Sequence, residues 1–163
     1  MSMVSVVKEG LYAAEHGATA MHDITEGGVF GAAWEMAEAS GCGMVLYPEK
    51  VPMHPITKKI CRKFGIDPYR LISSGSMLIA CDDGEGMVKG LAAIGIPAAV
   101  IGKAVESGVS TADGTEIPAP EADELYKIIS GLFRKLFVCG QKGAIIKKLH
   151  HAIFFETVEK PRG

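Results

Sequence analysis

Apolar residues in this chain switch repeatedly between helical spacing and short unbroken runs, with a glycine or proline at nearly every switch. Val4, Val7, Leu11 and Ala14 share one helical stripe, Lys8, Glu9 and Glu15 lie off it, and Gly17 follows as a stop. That spacing predicts an amphipathic helix laid on a core. Residues 18–22 are a short apolar run that predicts a strand, and the loop 23–28 opens a second helix. The buried stripe of that helix is Val29, Ala32, Ala33, Met36 and Ala37, with Glu35 and Glu38 in water and Ser40-Gly41 as its end. A strand over 44–47 follows, after which Pro48, Pro52 and Pro55 force an extended connection until Ile56. Ile56, Ile60 and Phe64 mark a short helix, and Asp67-Pro68 reads as the cap and first position of another turn.

The second half repeats the pattern. Residues 77–81 predict a strand, and Asp82-Asp83-Gly84 turns the chain into a helix with Met87, Val88, Leu91 and Ala92 inward. Residues 97–105 read as one apolar strand, and 109–111 and 115–117 flank Asp113-Gly114 as a two-residue hairpin. A helix is expected over 121–136, with acids early and Arg134-Lys135 late to suit its dipole, and a last one over 144–155. Strands and helices alternate without a strict βαβ period, so the fold class is α/β (α+β), a mixed sheet with helices packed on it. We expect one domain over 1–137 and a helical C-terminal extension over 138–163.

Composition narrows the function classes. The 163 residues are 48% hydrophobic and 22% charged, enough to close one core. The net charge of -2, from 17 basic against 19 acidic residues, offers no field that gathers nucleic acid or an anionic membrane. Residues 91–105, the most apolar stretch, are broken by Gly95, Pro97, Gly102 and Lys103, short of the roughly 18 apolar residues a membrane helix needs. The first residues lack the sections of a secretory signal, so a cytoplasmic protein is expected. Cys42, Cys61, Cys81 and Cys139 form no Cys-x-x-Cys pair and read as reduced thiols rather than a metal or redox site.

The most informative stretch is His22-Asp23-Ile24-Thr25-Glu26-Gly27-Gly28, where a carboxylate, a hydroxyl and two glycines lead from a strand into a helix. Glycines there let the backbone take positive φ and approach a ligand, and the N–H groups and positive dipole end of a helix suit phosphate. The same residues also suit a plain turn with a Thr or Asp cap. Other candidates are weaker. Gly102-Lys103-Ala104 lacks the Ser or Thr of a phosphate loop. His150-His151 point to different helix faces. His22 reads as a hydrogen-bonded structural residue, and Asp82, Asp83 and Glu85 as a helix cap rather than a cation site.

The loop Asp23 to Gly28, followed by Glu35, Ala37, Glu38, Ala39, Ser40 and Gly41, resembles the C-terminal domain of the aminoimidazole ribonucleotide (AIR) synthetase superfamily. The likeness continues through Val51-Pro52, the run GIDPYRLISSGSM from Gly65 to Met77, and Ala99-Val100-Ile101-Gly102 with Val105. The hydrogenase maturation dehydratase type looks most similar. The resemblance implies ATP- and Mg-dependent phosphorylation of a small-molecule or protein-thiol substrate, in a cleft that this domain closes with Asp23, Thr25, Gly27 and Gly28. It also implies an N-terminal ATP-binding domain that supplies the metal-binding aspartates and most nucleotide contacts. The 22 residues before Asp23 are too few to hold it, so that domain is expected as a missing part or a separate partner chain. A homodimer is expected, and the isolated chain is expected to be inactive. The terminal cysteine of the hydrogenase maturation type has no counterpart at Lys160-Pro161-Arg162-Gly163. The other reading is a non-catalytic module that binds a metabolite or a protein and keeps only the fold.

Overall fold

A computed structural model describes residues 5–120 and 123–129. The chain divides into two compact units, Met1–Glu124 and Leu125–Gly163. In the first, the order is α1 (Val7–Glu15), β1 (Ala18–Asp23), α2 (Gly28–Ser40), β2 (Gly43–Leu46), α3 (Pro55–Phe64), β3 (Met77–Cys81), α4 (Gly84–Ala93), β4 (Gly102–Val105) and β5 (Val109–Thr111). Short 3-10 turns cover Pro48–Lys50 and Pro68–Arg70. In the second unit, residues 125–129 are helical, within the helix expected over 121–136. Cys139, His150, His151 and the expected extension 138–163 lie outside the described residues.

The strands form two sheets among the described residues. β1 pairs antiparallel with β3, while β2 lies between an antiparallel β4 and a parallel β5. Helix α2 supplies most of the principal core, where Val29, Phe30 and Met36 meet Leu78 of one sheet and Met44, Leu46 and Val109 of the other. The five apolar residues predicted to face inward on this helix are all buried. Fully burying a large apolar side chain stabilises by about 1.5–3 kcal/mol, which outweighs the roughly 1 kcal/mol cost of each glycine in a helix. A second core of Ala13, Met87 and Leu91 brings in α1 and α4, against Ile79 and Cys81 of β3. Residues alternate across β3, so Leu78 and Ala80 join one core, Ile79 and Cys81 the other. Strand β1 carries a bulge between Ala18 and Ala20. That extra residue explains how these two alanines, which strict alternation would place together, join different cores.

Four expectations need correction. Helix α1 forms, but Val7 and Leu11 of its predicted stripe are 63% and 62% exposed and Ala14 is exposed too. The helix is seated by its small residues instead: Ala13 is buried, and a side chain at Gly10 would lie 3.3 Å from Met77 Cε. On α3, Cys61 is buried while Ile56 and Phe64 are 42% and 48% exposed. The strand expected over 97–105 is in a ladder only from Gly102. Ile96 and Ala98 pack on the second core and Ile101 on the first, so this stretch is apolar because it crosses between cores. Finally, Thr111 N–H bonds to Thr115 O at 2.9 Å, which makes the hairpin loop three residues long rather than two.

Candidate functional site

The loop 23–28 starts at the end of β1, where Asp23 pairs with Met77 of β3 and is itself exposed. One residue on, the Ile24 N–H donates to Ser76 O at 2.9 Å and the Ile24 side chain enters the core, anchoring the loop from below. Gly27 and Gly28 then take φ of 77° and 63°, conformations that favour glycine. A side chain at Gly28 would stand 2.5 Å from Tyr69 O and 2.8 Å from the N and O of Leu71. Gly28 is therefore a packing requirement: the start of α2 lies against the backbone of residues 69–71. Two of the stretches that carry the family resemblance, 23–28 and 65–77, thus meet in one structure.

Around this junction, the Phe30 and Tyr69 rings stack with centroids 5.1 Å apart. The Arg70 guanidinium lies 5.7 Å from the Phe30 centroid and its Nε is 3.7 Å from Asp67 Oδ2. Asp67 also accepts from Tyr69 N–H at 2.9 Å, the cap expected from Asp67-Pro68. Burial pushes the Tyr69 hydroxyl above its ordinary pKa, and the Asp67 and Glu49 carboxylates add to this by opposing a second negative charge. Burial likewise raises the Cys61 thiol, again with Asp67, which leaves this thiol protonated and a poor nucleophile.

The start of α2 is not capped by its own loop. The Thr25 carbonyl accepts the Gly28 N–H at 3.1 Å, yet no side chain at the N-cap serves the helix. Instead, Asp123 Oδ2 accepts from the Gly27 N–H at 2.9 Å, and Asp123 is only 4% exposed. The sequence pattern places this carboxylate among the early acids of the helix expected over 121–136, because a contact across 96 positions leaves no local signal. His22, on the strand before the loop, bonds through Nδ1 to Asp23 O at 2.7 Å and through Nε2 to Glu35 of α2 at 2.9 Å. It ties β1 to α2, in keeping with the structural role read for it. Two surface depressions of about 450 and 330 Å³ flank α3, and neither is lined by any residue of the loop.

Comparison with known proteins agrees with this assembly. The family model "AIR synthase related protein, C-terminal domain" matches residues 1–114. The chain is 34% identical over 98 residues to carbamoyl dehydratase HypE of Rhodobacter capsulatus and 33% identical over 94 residues to HypE of Escherichia coli. These matches take in 57% and 55% of this chain but 28% of each relative, so the chain spans well under half their length. The crystal structure of E. coli HypE aligns with a TM-score of 0.65 at 28% identity, covering 76% of this chain and 42% of that one. By this match the chain belongs to the AIR synthase related family, through that family's C-terminal domain.

Proposed function

We propose that this chain is the C-terminal, cleft-forming half of an ATP-dependent synthetase or dehydratase of the hydrogenase maturation type, and that it is not catalytically complete alone. The supporting observation is the junction of 23–28 with 65–77, which fixes a positive-φ glycine pair at the start of α2, away from the two depressions that flank α3. Such a half-site needs a second wall. Gly27 and Gly28 would present backbone to a phosphate group, Thr25 a hydroxyl, and the exposed Asp23 a carboxylate that tolerates phosphate only across a cation or a shared proton. A hydrogenase maturation protein HypE solved in complex with ATP has this fold, with a TM-score of 0.58 at 21% identity. Among the described residues, no three His, Cys, Asp or Glu side chains gather as a metal site. Mg would neutralise phosphate charge in such a reaction, and we assign it to an N-terminal ATP-binding domain, in the same polypeptide or in a separate one.

Exposed apolar residues support the partners proposed. Val7, Leu11 and Met21, 63%, 62% and 42% exposed, offer apolar area to that domain or to a second copy as a homodimer. A HypE–HypF complex shows that one similar protein assembles with a different chain. Among the described residues no helix is long and apolar enough to cross a membrane, and we take the protein to be cytoplasmic. The test is ATP turnover by the purified chain with and without an N-terminal HypE domain added in trans. We expect none from the chain alone and, with the added domain, a rate that falls at least about tenfold in Asp23→Asn. Steady turnover by the chain alone, lost in Asp23→Asn, overturns the proposal; sedimentation of the same samples reads the oligomer.

A further inference from the structure

We infer that Asp123 is the chain's own ligand for the Gly27–Gly28 loop, and that a phosphate group enters there only by displacing it. This rests on the reading of the loop as a phosphate site and adds its regulation. Three other helix starts set the contrast, while α1 and the turn Pro48–Lys50 have no side-chain cap at all. His54 accepts from Ile56 N–H, Asp67 from Tyr69 N–H and Asp83 from Gly86 N–H, each serving the turn it opens. At α2 a distant residue serves: Gly27 carries no side chain, and the acceptor of its N–H is a carboxylate 96 positions away. The loop is thus already bound to an oxyanion, in the position that the helix dipole and its first N–H favour for a phosphate oxygen.

The contact is enclosed. Asp123 is 4% exposed, and Pro120 Cβ lies 3.2 Å from where a Gly27 side chain would begin and 3.6 Å from that of Gly31. One N–H cannot donate fully to two anions, and two anions in so dry a place repel, so occupancy is an exchange and not an addition. Asp123 lies beyond residues 1–114, the part matched by the family model, so the occupant is supplied from outside that shared part. An oxyanion that binds the loop releases Asp123, and whatever draws Asp123 away raises the loop's affinity by the fraction of molecules it opens.

The experiment follows the Gly27 amide resonance of the ¹⁵N-labelled full chain during titration with inorganic phosphate, with chloride at matched ionic strength as control. Wild type is compared with Asp123→Ala and Asp123→Asn; the amide keeps an acceptor without charge and serves if the alanine variant does not fold. We expect the Gly27 resonance to differ in both variants before any phosphate is added. We further expect phosphate to bind Asp123→Ala about tenfold to a hundredfold more tightly than wild type, with Asp123→Asn between. A Gly27 resonance unchanged by either substitution removes the contact and the inference with it. Equal phosphate affinity in all three proteins overturns the inference and leaves the loop a phosphate site. A Gly27 amide that ignores phosphate in all three, with the fold kept, overturns that reading and the inference together.

Discussion

Helices α2 and α4 open on similar sequences, Asp23-Ile24-Thr25-Glu26-Gly27-Gly28 and Asp82-Asp83-Gly84-Glu85-Gly86, but the structure uses them differently. Asp83 accepts from the Gly86 N–H at 2.8 Å, so α4 closes its own first turn. α2 starts on a left-handed glycine, with the backbone of Tyr69–Leu71 pressed against Gly28 and the cap supplied by Asp123. α4 buries only Met87 and Leu91, whereas α2 is buried on most of its surface. The difference teaches that an acid beside glycines is ambiguous in sequence. In α4 the glycines leave room for a local cap; in α2 they allow two backbone segments to touch, and the N–H is left for a partner from elsewhere.

The largest test of this comparison is Gly28→Ala against Gly86→Ala. At Gly28 the new methyl meets backbone that cannot swing aside, at φ of 63°, so the fold should lose about 3 kcal/mol or more. At Gly86 the new methyl meets only the Asp83 carboxylate, a movable side-chain end. The lost cap costs about 1 kcal/mol and the gain in helix propensity returns about as much, so stability should hardly change. Urea unfolding midpoints decide it. Equal midpoints for the two variants would show that Gly28 is no tighter than an ordinary helix glycine.

The next effect separates the two caps. Asp123→Ala leaves a part-buried N–H without its charged acceptor and should cost about 2 kcal/mol. Asp83→Ala frees an exposed first turn that water can satisfy, and should cost about 1 kcal/mol. The same unfolding curves give both. A smaller loss at Asp123 than at Asp83 would make the distant cap the weaker and blur the contrast between the helices.

These contacts also mark what was legible beforehand. The stripe of α2, the strand Met77–Cys81 and the caps Asp67 and Asp83 follow from spacings of two to four residues, and the structure has them where the sequence put them. The order of the loop and the 65–77 segment supported the family, though not the reason for Gly28, which is a backbone 41 positions away at Tyr69. Periodicity placed an apolar stripe on α1 but could not say that Gly10 and Ala13 would turn a neighbouring face inward. The contact of His22 with Glu35 and the capping by Asp123 depend on tertiary proximity alone, so no local pattern announces them.

The smallest expected effect concerns Asp113, a fourth capping carboxylate and an exposed one. In the hairpin loop its Oδ1 accepts from the Thr111 hydroxyl at 2.5 Å and from Thr115 N–H at 3.0 Å. The Thr111 hydroxyl first, and then the Thr115 N–H, hold its carboxyl below the ordinary value of 3.8, because both bonds favour the ionised form. Since the folded pKa is the lower one, the stabilisation is fully present above the unfolded value and is lost as pH falls through the folded value. Asp113→Asn keeps an acceptor but no charge, so its unfolding midpoint should sit slightly below wild type near neutral pH and converge with it in acid. The side chain is exposed, so added salt should shrink the gap. Unfolding curves for both proteins from neutral pH into acid, with and without salt, measure it. A gap that persists unchanged at the lowest pH would mean that shape rather than charge holds this turn, and would set Asp113 apart from the two caps that serve helix dipoles.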